Sequence, residues 1–161
     1  MRLVLGMNPS NFRVVALPTN VAEAARKAAA DNQPDHRVVE VDSPNSAPCR
    51  HCLRWAEPGE RVILFPYNSV PPGRPYSEMG PIFVHSDACQ RYASEREYPA
   101  QFRVGRVFRA YDSADDLIDA ILPNGDDPEA VIEKLLNNPE TAFVHVRSST
   151  RGCYTFRVER I

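Results

Sequence analysis

The stretch TAFVHVRSSTRGCYTFRVERI, residues 141–161, decides the fold class of this chain. It contains two runs rich in β-branched and aromatic residues, TAFVHVR and CYTFRVERI, separated by the linker SSTRG. Two such runs joined by a short linker with a glycine, here Gly152, are typical of an antiparallel β-hairpin. The sequence therefore predicts antiparallel strands that follow one another directly along the chain.

Outside this hairpin, strand patterns are more frequent than helix patterns. We expect helices at 20–32 and 128–138, the second with Pro128 in its first turn, and a third helix at 86–95. Segment 112–122 fits either a helix or a strand paired with the one before it. The other strand patterns are FRVVAL (12–17), RVVEV (37–41), RVILFPY (61–67), IFVH (82–85) and QFRVGRVFRAY (101–111).

The strands do not alternate regularly with helices, which predicts an α+β domain with a mainly antiparallel sheet and two or three helices. The stretch NSVPPGRPYSEMGP (68–81) has four prolines and two glycines, so we expect a long proline-rich loop there. A chain of 161 residues fits one domain of ordinary size. We assign residues 12–161 to this single domain and residues 1–11 to an N-terminal leader.

Charge and hydropathy disfavour two classes of protein. The net charge is −2 at pH 7, whereas a general nucleic-acid binder carries a basic excess. No run approaches the length of about 18 apolar residues that a membrane-spanning helix needs. The apolar patch in the opening MRLVLGMNPSNF is too short for a secretory signal. The sequence thus predicts a cytoplasmic protein without a membrane or nucleic-acid partner.

The segment PCRHCLRWAEPGE (48–60) contains a Cys-x2-Cys pair, Cys49 and Cys52. Two thiolates at this spacing can meet one tetrahedral ion from a tight turn. His85 and Cys89 supply a second pair, and on the predicted helix they would lie about one turn apart on the same face. Since a thiolate-rich tetrahedral set favours zinc, we expect a zinc site at Cys49, Cys52, His85 and Cys89.

Other interpretations of these residues remain open. His51 is an ordinary histidine on a surface turn, an alternative ligand, or a hydrogen-bonding residue behind the ligands. Without a metal, Cys89 would be a buried apolar thiol and His85 would make an ordinary hydrogen bond. A thioredoxin-like redox pair needs a long helix after it, and Pro58-Gly59 leaves room for barely one turn.

Polar and apolar residues alternate along the terminal hairpin. One face would carry Val144, Val146, Tyr154, Phe156 and Val158, and the other His145, Arg147, Cys153, Thr155 and Arg157. The simpler interpretation of the second face is a solvated sheet surface. The alternative is a catalytic or anion-binding site, in which the arginines hold an anion or activate the thiol.

Several motifs together resemble a known family. They are PCRHCL (48–53), PGE (58–60), PYSEMGPIFVH (75–85) with Cys89 and Arg91-Tyr92, and HVR (145–147) with Gly152-Cys153 and Arg157. They are similar to the family called domain of unknown function 1203, over nearly the whole chain from Phe12 to Ile161. The resemblance implies a single-domain bacterial protein of unassigned activity, and a strand rather than a helix at 115–122. It also implies motif positions for Cys49, Cys52, His85, Cys89, His145, Arg147 and Cys153.

Two functions follow as hypotheses. In the first, a structural zinc site clips the 68–81 loop to the sheet, and the protein acts through its surface. In the second, the protein is a small enzyme that depends on a metal or a thiol. In its thiol form, Cys153 is the nucleophile and His145 the base, while Arg147 and Arg157 hold a small anionic substrate. The sequence leaves enzyme status, partner and substrate open.

Overall fold

The terminal hairpin forms the middle of a five-stranded antiparallel sheet in the computed structural model, which describes residues 10–161. Its two strands pair as predicted, with Gly152 in the turn at φ +75°. The strands of this first sheet are β1 (Phe12–Val15), β7 (Arg106–Tyr111), β8 (Leu117–Ile121), β9 (Phe143–Ser148) and β10 (Tyr154–Arg160). Their order is β1-β10-β9-β7-β8.

A second five-stranded sheet is built from the first half of the chain. It contains β2 (Arg37–Glu40), β3 (Pro48–Cys49), β4 (Arg54–Trp55), β5 (Arg61–Val70) and β6 (Glu78–His85). Their order is β2-β5-β6-β3-β4, and all neighbours are antiparallel except β3 and β6. That parallel pair places Cys49 opposite Phe83. The sheet thus brings the Cys-x2-Cys segment beside the end of β6.

Two α-helices and one short 3-10 helix complete the regular structure of residues 10–161. α1 (Thr19–Ala30) starts directly after Pro18, one residue before the predicted start at residue 20. α2 (Pro128–Leu136) begins with Pro128, as predicted, because the missing N–H of proline costs nothing in a first turn. The 3-10 helix spans Ala100–Phe102. The α+β class with mostly antiparallel sheets is therefore confirmed.

Each sheet packs against one helix and buries its own core. α2 covers one face of the first sheet, over buried residues such as Phe108 and Val146. α1 covers the second sheet, over residues such as Ile63 and Val84. The second core also contains Cys49 and Cys52, so two of the four predicted metal ligands lie in packed apolar surroundings.

A bulge in β10 changes which hairpin residues share a face. Tyr154 lies opposite Arg147, but Phe156 lies opposite Val146, so the register shifts by one residue between them. Tyr154 therefore shares a face with His145 and Arg147, and its predicted place on the apolar face is wrong. The interpretation of that second face as solvated is also wrong, because His145 and Arg147 are buried.

The proline-rich loop is shorter than expected. β5 continues to Val70 and β6 begins at Glu78, so only residues 71–77 of the predicted 68–81 loop lie between strands. Pro66 and Pro81 lie opposite each other in this hairpin. Proline is tolerated in a strand where its missing N–H would not point to a partner strand. Proline content alone therefore overestimated the length of the loop.

The helix predicted at 86–95 does not form. The backbone N–H of Tyr92 donates to the carbonyl oxygen of His51 at 2.9 Å, and the carbonyl oxygen of Glu95 accepts from the N–H of Val14 at 2.7 Å. These contacts with distant segments replace the bonds of a helix, since tertiary context overrides a weak local propensity. By contrast, the ambiguous segment 112–122 contains strand β8, paired with β7.

The start of the chain is described only from Ser10. Residues 1–9 of the predicted leader lie outside the described residues. Asn11 accepts a backbone hydrogen bond from Ile161 at 3.3 Å, which joins it to the end of β10. Within residues 10–161, no helix has both the length and the apolar character to span a membrane.

Candidate metal centre

Three neighbouring parts of the second sheet bring the predicted ligands together. Cys49 ends β3, Cys52 lies in the turn before β4, and His85 ends β6. Cys89 comes from the irregular segment 86–95 that follows β6. One ligand atom from each of the four residues lies within 4.8 Å of all the others. We call these four residues the Cys3His cluster.

The separations within the Cys3His cluster suit a tetrahedral ion. The sulfur atoms of Cys49 and Cys89 are 3.9 Å apart, and the sulfur of Cys52 is 3.5 Å from Nδ1 of His85. A tetrahedral zinc with Zn–S bonds of about 2.3 Å places its sulfur ligands about 3.8 Å apart. The helical turn predicted between His85 and Cys89 is absent. The end of β6 and the loop after it bring these two residues together instead.

Glu60 orients the histidine of the cluster. Its Oε2 lies 2.6 Å from Nε2 of His85, which leaves Nδ1 directed to the sulfur atoms. A carboxylate that accepts the second ring N–H is the common support of a metal-binding histidine, because it fixes the ring and raises its basicity. Sequence reasoning missed Glu60, although its PGE motif was among those quoted above.

His51 and Arg26 lie behind Cys89. Nδ1 of His51 is 3.1 Å from the sulfur of Cys89, and its Nε2 is 2.9 Å from the hydroxyl of Thr19. Arg26 donates from Nη2 to the same sulfur at 3.5 Å and from Nε to the carbonyl oxygen of His85 at 3.0 Å. His51 is buried rather than on a surface turn, and it lies outside the group of four.

The crowding of three thiols perturbs their protonation. Hydrogen bonds from Cys52 and Cys89 lower the pKa of Cys49 far below its usual range. The same contact with Cys49 raises the pKa of Cys52. Hydrogen bonds to Cys49 and Cys52 raise the pKa of His85 to about 11. Three thiolates in so small a space repel one another, and a divalent cation removes that repulsion by binding all of them.

An open cleft of about 810 Å³ borders the cluster. Cys52, His85 and Cys89 lie along its wall, whereas Cys49 is fully buried behind them. The charged residues of the cleft are Arg54, Glu60, Arg61, Asp87 and Arg91. Small molecules from solvent can therefore approach three of the four predicted ligands.

The predicted polar face of the hairpin lies between the two sheets. Arg147 donates from Nη1 to Glu78 at 2.6 Å, and from Nη2 to Ser69 at 3.0 Å and to Nδ1 of His145 at 3.1 Å. Arg147 is fully buried, so these bonds tie β9 to β5 and β6. Burial, followed by the charge of Arg147, lowers the pKa of His145 well below its usual range.

Cys153 and Arg157 lie outside the Cys3His cluster. Cys153 lines a cavity of about 120 Å³, which has no lining residue in common with the cleft beside the cluster. Its thiol lies 3.9 Å from the carbonyl oxygen of Arg151, and no hydrogen bond joins it to His145 in the described structure. Arg157 donates to Glu159 at 2.8 Å and lies over the ring of Phe143.

These features define an α+β protein with two antiparallel sheets and a partly buried cluster of three cysteines and a histidine. The model of the family described as protein of unknown function (DUF1203) matches residues 46–160. The chain belongs to this family, which confirms the resemblance seen in the motifs. The match includes the whole Cys3His cluster but begins after α1 and β2. No curated protein and no solved structure matches the chain.

Proposed function

We propose that the protein binds one zinc ion at Cys49, Cys52, His85 and Cys89, and that this zinc is structural. The observation that carries the proposal is the approach of all four ligand atoms to within 4.8 Å of one another. Four protein ligands leave no coordination position for a substrate, which is typical of a structural zinc site. Three thiolates and one imidazole favour zinc over oxygen-preferring ions such as magnesium or calcium.

The proposed zinc would hold the 86–95 segment rather than the proline-rich loop. Glu78, next to that loop, and His85 are at opposite ends of β6. At about 3.3 Å per residue, the two residues are about 23 Å apart along the strand. The expectation that the site clips the 68–81 loop to the sheet is therefore wrong. The zinc would instead fix Cys89, and with it a segment that has no helix or strand of its own.

The enzyme hypothesis has less support. A thiol enzyme would need a base beside Cys153 and free guanidinium groups for an anion. Arg147 and Arg157 already pair with Glu78 and Glu159, and His145 bonds to Arg147.

We further infer a cytoplasmic protein without a nucleic-acid or membrane partner, which the free thiols and the net charge of −2 support.

Elemental analysis of protein purified without a chelator tests the zinc proposal. We expect one zinc per chain in the wild type and in Cys153→Ser, whose substitution lies outside the Cys3His cluster. Cys49→Ser should lose its zinc on dialysis, because it removes the most buried thiolate of the cluster. A wild type without zinc, or equal zinc contents in the two variants, would contradict the proposal.

A further inference from the structure

We propose that Cys52 is the reactive thiolate of this metal centre and that it takes small alkylating agents from the adjacent cleft. This inference rests on the proposed zinc site and adds a covalent modification site to it. Exposure alone would select another residue, since Cys89 is more exposed than Cys52. The argument depends instead on the hydrogen bonds that each sulfur atom receives.

Cys89 is the most strongly hydrogen-bonded thiolate of the cluster. Arg26 donates to its sulfur at 3.5 Å, and Nδ1 of His51 lies at 3.1 Å. Thr19 beside Nε2 can donate its hydroxyl hydrogen there, which leaves the N–H at Nδ1 for the sulfur. Hydrogen bonds to a metal-bound thiolate withdraw charge from it and make it a poorer nucleophile.

Cys49 is protected in a different way. Its side chain is fully buried, and its sulfur accepts the backbone N–H of His85 at 3.4 Å. An electrophile in the cleft would have to pass Cys52, His85 or Cys89 to reach Cys49, because those three residues line the cleft and Cys49 does not.

Cys52 receives no such hydrogen bonds, and although it is only 8% exposed it lies on the wall of the cleft. Apart from the other members of the cluster, no donor in residues 10–161 bonds to its sulfur, and His85 Nδ1 would itself be a zinc ligand. Cys52 also lines the cleft of about 810 Å³. Its thiolate therefore keeps the most negative charge while remaining within reach of a small molecule.

The reaction is a direct displacement. The Cys52 sulfur would attack the carbon of the alkylating agent, a carbon–sulfur bond would form, and the leaving group would depart with the bonding electron pair. Because a zinc-bound thiolate carries no proton, none has to be removed. The product is a thioether, which is a weaker ligand than a thiolate, so alkylation should also loosen the zinc.

Limited alkylation of zinc-loaded protein tests the inference. Cys153→Ser protein containing one measured zinc per chain would react with less than one equivalent of iodoacetamide, and peptide mass spectrometry would locate the label. We expect the first label on Cys52. A first label on Cys89 or Cys49 in zinc-loaded protein would overturn this inference alone, whereas protein that holds no zinc would overturn the proposed function together with it.

Two variants test the hydrogen-bond argument itself. Arg26→Met removes the donor to Cys89, and we expect alkylation of Cys89 to become about threefold to tenfold faster. Lys27→Met is the matched control, because it removes one positive charge from the same helix at an exposed position. Equal rates at Cys89 in the two variants, both loaded with zinc, would contradict the assigned role of hydrogen bonding.

Discussion

At the scale of single residues, Glu60 is the carboxylate that fixes the orientation of the His85 ring. It contacts His85 but no other member of the Cys3His cluster. Glu60→Gln keeps the shape of this contact and removes its charge. We expect zinc to bind about tenfold to a hundredfold more weakly in the variant. Competition with a chromophoric chelator measures the change.

Glu57→Gln is the control for this prediction. Glu57 lies three residues before Glu60 on the same exposed turn, and its side chain does not contact His85. The Glu57→Gln variant should bind zinc with wild-type affinity. If Glu60→Gln bound zinc as tightly as this control, the carboxylate would have no part in the metal centre.

His145 gives a second prediction, in the pH dependence of stability. Burial first, and then Arg147, Arg157 and Arg109, lower its pKa in the folded state. The unfolded chain therefore takes up this proton at a higher pH, near the ordinary histidine pKa of about 6.5. The stability that neutral His145 contributes is complete above that pH and declines as the pH falls below it, by up to about 1.4 kcal/mol per pH unit.

His145→Asn isolates this effect, because its amide oxygen can still accept the Arg147 hydrogen bond but cannot be protonated. Loss of the ring should lower stability at every pH. Between about pH 5 and the ordinary histidine pKa, the free energy of unfolding should fall less steeply in the variant than in the wild type. Urea unfolding of zinc-loaded proteins at each pH measures both slopes, and equal slopes would rule out a buried neutral His145.

At the scale of elements, Arg147 is the residue through which β9 holds the β5-β6 hairpin. Its guanidinium is fully buried and bonds to Glu78, whereas Arg109, half-buried, reaches the same carboxylate only at 3.5 Å. We expect Arg147→Ala to cost about 2–4 kcal/mol in the free energy of unfolding, because it leaves a cavity and removes the hydrogen bonds to Glu78, Ser69 and His145. Arg109→Ala should cost less than about 1 kcal/mol. Urea denaturation compares them, and similar costs would contradict a bridge between the sheets.

Elements whose pattern is local were predictable from the sequence. The terminal hairpin follows from two β-rich runs around Gly152, and α2 follows from Pro128 in its first turn; both signals depend only on neighbouring residues. The irregular segment 86–95 was not predictable, because its backbone forms hydrogen bonds with His51 and Val14, which are far away in sequence. The bulge in β10 escaped prediction for a similar reason, since register depends on the partner strand.

The same distinction applies to the candidate site. Spacing within two short motifs was enough to nominate Cys49, Cys52, His85 and Cys89. Arg26 and Glu60 come from other elements and reach the cluster only through packing, so no spacing rule identifies them. His51 was nominated as a neighbour of the ligands, but only the structure shows that it faces Cys89.

At the scale of the whole molecule, the proposed zinc holds residues 86–95, a segment with much less regular structure than the two sheets. β9 and β10 are held by long ladders of backbone hydrogen bonds, whereas residues 86–95 depend on isolated contacts. Removal of zinc should therefore loosen residues 86–95 first and leave the terminal hairpin folded.

Hydrogen exchange with and without a chelator measures this difference. We expect amides in residues 86–95 to lose protection on chelation, while those of β9 and β10 keep theirs. Cys49→Ser protein should show the loosened pattern without any chelator. Uniform loss of protection over both sheets would mean that the zinc supports global folding, and unchanged protection everywhere would contradict a structural zinc.

The position of α1 has a consequence for how this family is delimited. The family model begins at residue 46, but α1 covers the second core and supplies Arg26 to the metal centre, and β1 forms an edge of the first sheet. The matched segment 46–160 is thus smaller than the packed structure to which it belongs. A fragment cut at the family boundary would expose Ile63 and Phe65 to water, so expression of this protein should start upstream of β1.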